Sequence, residues 1–123
     1  MLHKDTVILL MAHGSRRSEA NQEVHRLADK IQSQLGRSVF ACFLEHGEPS
    51  IPEGIDLALQ NNAKEILALP YFLTEGRHLS EDIPKILHEK ARAYPEIPIK
   101  VLDYLGSHDQ LPDVLTLIIL QHA

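Results

Sequence analysis

The sequence predicts a three-layer α/β sandwich built on a four-stranded parallel sheet. Three observations carry this. Four short apolar runs rich in β-branched residues lack polar alternation, as strands covered on both faces do. Each is followed by a stretch with apolar residues at helical spacing. A chain of 123 residues suits one domain, taken as residues 1–123, so the strand–helix repeats must be joined by crossovers, which make strands parallel.

Thr6 to Ala12 (TVILLMA) reads as the first strand. From Ser18, Ala20, Val24, Leu27, Ala28, Ile31 and Leu35 recur at helical spacing, with Gly36 placed to end the helix. Ser38 to Leu44 is the second strand. Ser50-Ile51-Pro52-Glu53 then supplies a Ser N-cap, an early Pro and a Glu at the third position, predicting a helix to about Asn61. Glu65 to Pro70 is the third strand, and from Ser80 a helix places Ile83, Ile86, Leu87 and Ala91 on one face before Pro95. Ile99 to Tyr104 is the fourth strand. Asp109 to Gln121 reads as a last helix, although its apolar residues run round the whole circumference; either a second surface covers it or VLTLIIL is a strand. The helical reading is preferred.

Composition narrows the function. Seventeen acidic residues against 12 Lys and Arg give a net charge of −5, the wrong sign for coating nucleic acid or an anionic membrane. No apolar run reaches the ~20 residues of a membrane span and the first residues lack a signal-peptide core, so a cytoplasmic protein is expected. A lone cysteine, Cys42, rules out an internal disulfide and a Cys-x-x-Cys zinc site. Neither a P-loop nor a G-x-G-x-x-G fingerprint is present, and no organic cofactor is expected.

Eight histidines remain to be explained. Ligands of open parallel sheets bind beyond the C-terminal strand ends, and each of those four loops carries an imidazole: His13, His46, His78 and His108. In the flavodoxin-like order 2-1-3-4, adopted here by analogy, strands one and three are neighbours and His13 and His78 can meet. Two or three imidazoles in a crevice suit a borderline divalent ion such as Co²⁺, Ni²⁺, Fe²⁺ or Zn²⁺, with coordination positions left open. His13 alone is equally compatible with a structural hydrogen bond; pairing with His78 favours the ligand reading. His46 and His108 are either further ligands or partners of loop carbonyls. His3, His25, His88 and His122 are read as solvated or edge residues.

Around them, Gly14 and Gly76 allow either close ligand approach or ordinary turns. Arg16, Arg17 and Arg77 either hold carboxylates by forked hydrogen bonds or form a solvated rim. Tyr71 and Phe72 either receive a flat apolar ligand or cap the core.

These residues resemble the small form of the sirohydrochlorin cobaltochelatase family, among the class II, ferrochelatase-like chelatases. The likeness lies in Leu9-Leu10-Met11-Ala12-His13-Gly14-Ser15-Arg16, in Phe43-Leu44-Glu45 with Glu48-Pro49-Ser50, in Pro70-Tyr71-Phe72-Leu73 through Gly76-Arg77-His78, and in Leu105-Gly106-Ser107-His108. The resemblance covers nearly the whole chain. It implies a chelatase-like half-domain, a lyase that inserts a divalent metal substrate into a tetrapyrrole such as sirohydrochlorin on the way to cobalamin or siroheme. It implies His13 and His78 as metal ligands and Glu45 as an acidic group at the site. Gly14, Ser15, Arg16, Tyr71, Phe72, Gly76 and Arg77 are then expected to touch the macrocycle. It implies a homodimer, because longer relatives hold two such halves in one chain. Cobalt, iron and nickel branches share these motifs, and His46-Gly47 departs from the small or apolar residues common at that place. Two rivals are a non-catalytic metal or tetrapyrrole carrier on the same fold and, less favoured, a histidine phosphatase. The latter lacks its phosphate-holding Arg, since Ala12 precedes His13.

Overall fold

The computed structural model describes residues 2–122. β1 (Thr6–Ala12) is buried at all seven positions, as a run with no polar face requires of a central strand. It pairs in parallel with β2 (Val39–Phe43) on one side and β3 (Glu65–Pro70) on the other, and β4 (Ile99–Val101) completes the order β2-β1-β3-β4. This is the expected 2-1-3-4 order. The chain reverses direction across the sheet between β1 and β3, so the loops leaving those two strands open side by side.

Three helices cover the sheet unequally. α1 (Ser18–Leu35) lies on one face over Ile8, Leu10, Val39 and Phe43, and ends at Gly36, whose left-handed backbone lets its amide donate to the Gln32 carbonyl at 2.8 Å. α2 (Ile51–Gln60) and α3 (Ile83–Ala93) lie on the opposite face over Leu9, Met11, Cys42 and Ile66. The first turn of α2 is locked reciprocally. Ser50 Oγ accepts from the Glu53 amide at 3.2 Å, and Glu53 Oε1 accepts from the Ser50 amide at 2.8 Å.

Three element boundaries differ from the sequence expectation by two residues or more. β4 stops at Val101 instead of Tyr104 because its partner leaves: after Pro70 the Tyr71 amide donates across to Met11 O at 2.7 Å, and β4 makes its last sheet bond from Leu102 to Ala68 O. Residues 78–82 form a single π-turn, with the Ile83 amide reaching back to His78 O, so α3 begins at Ile83 and not at Ser80. The last segment is helical and not a strand, but α4 (Leu111–Gln121) starts two residues later than Asp109, with Pro112 in its first turn.

Candidate functional site

The site is assembled where the loops after β1 and β2 continue each other's hydrogen bonding. Leu44 donates to Ala12 O and Glu45 to His13 O, both at 3.0 Å, so Glu45 is delivered beside His13 by an extension of the sheet ladder. This approach requires a glycine. Gly14 has φ +95°, and a Cβ there would sit 1.6 Å from the Glu45 carbonyl oxygen. Gly76 carries no such constraint, having open space around it. Asn21, in the first turn of α1, clamps both loops: its Nδ2 donates to Ser15 O at 2.8 Å and His46 O at 2.9 Å, while its Oδ1 accepts from the Ser15 amide at 2.9 Å.

His78 enters from the loop after β3 as the first residue of the π-turn. Its ring meets that of His13 edge to face, with centroids 4.8 Å apart. His13, Glu45 and His78 each offer a ligand atom, and these atoms lie within 4.8 Å of one another.

His13 Nδ1 lies 3.3 Å from Gly14 O and Nε2 lies 3.4 Å from Glu45 Oε1; both neighbours are acceptors, so the neutral ring can donate to either and offer its other nitrogen to a ligand. His78 Nδ1 donates to Asp82 Oδ2 at 2.6 Å, which leaves its Nε2 as the free donor atom. Two imidazoles and a carboxylate thus converge, and their nitrogen-plus-oxygen donors suit a borderline divalent transition metal better than Mg²⁺ or Ca²⁺. The three side chains and Asp82 are each a little under half exposed, so a bound ion stays accessible from outside.

The remaining residues of the four loops divide. His46, held at φ 57°, places Nε2 4.0 Å from the second oxygen of Glu45, so that carboxylate lies between two histidines. His108 lies outside the cluster, its Nδ1 accepting from the Gln110 amide at 3.1 Å ahead of α4. Ser15 Oγ accepts from the Arg17 amide at 3.0 Å; Arg16 and Arg17 are exposed. Arg77 is exposed too, with Nε 3.6 Å from Glu81. Tyr71 and Phe72 part company: Phe72 packs onto the core beneath α3, whereas Tyr71 remains 39% exposed at the rim. His25 is no simple solvated residue, since Nε2 bonds Glu48 O at 3.0 Å and its ring packs edge-on against Phe43.

Asp82 and Asn21 escaped the sequence reading. Asp82 had a legible signal, a His and an Asp four apart at a helix start, which places them on one face. Asn21 had none, because its two partners come from separate loops.

The sequence profile of the CbiX family matches residues 7–120. A chloroplastic sirohydrochlorin ferrochelatase of Arabidopsis thaliana is 32% identical over 109 residues, 88% of this chain and 48% of the relative. A sirohydrochlorin cobaltochelatase of Methanocaldococcus jannaschii is 35% identical over 81 residues, 65% of this chain and 57% of the relative. The chain thus spans about half the length of these curated relatives. Among solved structures, the sirohydrochlorin chelatase SirB from Bacillus subtilis subspecies spizizenii in complex with cobalt superposes with a TM-score of 0.85 at 26% identity, over 94% of this chain and 50% of that one. A CbiX protein from Marinobacter aquaeolei VT8 shares the fold from end to end, with a TM-score of 0.83 at 21% identity over 95% of this chain and 96% of that one.

Proposed function

The chain belongs to the CbiX family, and from that membership we propose that it inserts a divalent transition metal ion, Co²⁺ or else Ni²⁺ or Fe²⁺, into a tetrapyrrole such as sirohydrochlorin. It does so as one chelatase-like domain, paired as a homodimer in the cytoplasm. The observation that carries this reading is the convergence of His13, Glu45 and His78 from three separate strand ends.

Metallation requires an ion to shed water and two pyrrole N–H groups to lose protons, so the enzyme needs a loosely held metal next to a base. His13 Nε2 and His78 Nε2 hold the metal substrate in an open site, with Asp82 fixing the second ring. Glu45 accepts a pyrrole proton, or either histidine does once its metal has left. As nitrogen–metal bonds form on the macrocycle, the ring lone pairs are freed, which makes ligand release and proton acceptance a single exchange. Arg16 and Arg77 meet the peripheral carboxylates, and the macrocycle lies over the stretch from Tyr71 to Gly76, with Gly14 and Ser15 bordering it.

Anaerobic incubation with sirohydrochlorin and each of Co²⁺, Ni²⁺ and Fe²⁺, followed by the absorption change on metallation, tests the proposal. Faster reaction than without enzyme is expected for at least one metal. Absence of acceleration with all three replaces catalysis by carriage, and wild-type turnover by His78→Ala removes the metal site from the mechanism.

A further inference from the structure

Beyond Glu45 the chain leaves the sheet ladder. Glu45 donates to His13 O and, further back, Phe43 donates to Pro49 O at 2.9 Å, but among the described residues no main-chain hydrogen bond reaches residues 46–48. That stretch begins in an unfavourable conformation. His46 has φ 57°, a left-handed backbone that residues other than glycine seldom adopt. A contact from outside the loop must hold it there.

The hold comes from α1. Asn21 Nδ2 donates to the His46 carbonyl at 2.9 Å, and His25 Nε2 lies 3.0 Å from the Glu48 carbonyl, to which it donates because a carbonyl only accepts. Four residues apart, these side chains stand one above the other on a single helix face, so they meet the loop at two successive points. Phe43 lies beneath them, fully buried, and takes the His25 ring edge-on with centroids 5.3 Å apart. Gly47 completes the fit, since a Cβ there would lie 2.6 Å from Phe43 Cγ and 3.1 Å from Asn21 Nδ2. The loop therefore runs flat against the helix, held by side chains from another element.

What this loop carries is the acidic group of the site. The ladder fixes the Glu45 amide, but its carboxylate is 47% exposed and lies between His13, at 3.4 Å, and His46, at 4.0 Å. Releasing the His46 carbonyl frees the peptide that follows Glu45 and lets His46 leave its left-handed backbone. The carboxylate then loses its second neighbour.

We propose that Asn21 and His25 are positioning residues for metallation: from successive turns of α1 they pin the loop after β2, and so keep the Glu45 carboxylate between two imidazoles. This rests on the preceding reading, in which Glu45 accepts a pyrrole proton. Neither side chain belongs to the ligand cluster, and both act through Glu45. The signature is a loss of rate with metal binding by His13 and His78 retained.

The test compares kcat at saturating sirohydrochlorin and metal, using the ion that the wild type inserts fastest, across Asn21→Ala, Glu45→Gln and the double variant. Asn21→Ala is expected to lower kcat about 10–100-fold, the scale on which misplacing a reacting group acts. It is expected to add nothing to the loss in Glu45→Gln, because residues that act as one unit are not additive. Wild-type kcat in Asn21→Ala, or a further loss of equal size in the double variant, overturns the inference and leaves the chelatase reading standing. Glu45→Gln turning over like the wild type removes Glu45 from the reaction, and the inference falls with it. A wild type that metallates no faster than the control without enzyme overturns both.

His25 supplies a check that misfolding does not imitate. His25→Gln keeps a donor for Glu48 O and is expected to retain most of the turnover that His25→Leu loses, while both variants still bind Co²⁺, seen in its visible absorption. Equal losses in the two mean that the ring only packs against Phe43 and overturn its positioning role; lost Co²⁺ binding means that the loop holds the metal ligands and overturns action through Glu45 alone.

Discussion

At His78 a single hydrogen bond decides which nitrogen faces the site. The 2.6 Å bond from Nδ1 to Asp82 fixes both tautomer and ring angle, and partners of this kind commonly govern metal affinity. Asp82→Ala is expected to lower Co²⁺ affinity about 10–100-fold while His78 stays in place, measured from the visible absorption of bound Co²⁺. An unchanged binding isotherm means that the carboxylate merely decorates the turn. Gly14 acts through backbone alone. Gly14→Ala must either displace the Glu45 carbonyl or abandon φ +95°, at a cost of about 1–3 kcal/mol, read as a lower urea midpoint together with slowed metallation. Retained stability and turnover would mean that the two loops separate freely, and that Glu45 is not held to the site by this contact.

Among the elements, α2 tests how far local sequence sets structure. Its Ser-Ile-Pro-Glu start forms the reciprocal cap that the residue types demand, and Ser50→Ala is expected to cost about 1 kcal/mol by chemical denaturation. The Ser50 amide, donating to the Glu53 carboxylate, holds that carboxyl below its ordinary value of 4.5. A carboxyl depressed in the folded state stabilises the protein above its unfolded value and loses that contribution as the pH falls through the folded one. The wild-type urea midpoint is therefore expected to drop towards that of Glu53→Gln on acidification below about pH 4.5, and a gap independent of pH refutes this assignment. The π-turn and β4 were not readable in the same way. Whether the chain enters α3 at Ser80 or Ile83 depends on a carbonyl five residues back, and β4 ends where β3 turns aside, a limit set by its neighbour and not by its own residues.

For the whole molecule, the homodimer proposed above makes stability a function of concentration. Folding coupled to association gains from mass action, so the melting temperature is expected to rise with protein concentration; calorimetry over a hundredfold dilution decides, and a constant value rejects the dimer. Among the described residues no helix is long and apolar enough to cross a membrane. The sequence by itself determined the strand–helix alternation, the caps of α1 and α2, the single family signature and the four histidine-bearing loops. Those features arise from periodicity and local backbone chemistry, which neighbours in the chain dictate. Only the tertiary structure decided that His13, Glu45 and His78 converge, that Asp82 and Asn21 hold their surroundings, and that α4 is left exposed. Each of these depends on which strands lie side by side and on which way a turn aims the next element, and contacts between residues far apart along the chain leave no local trace.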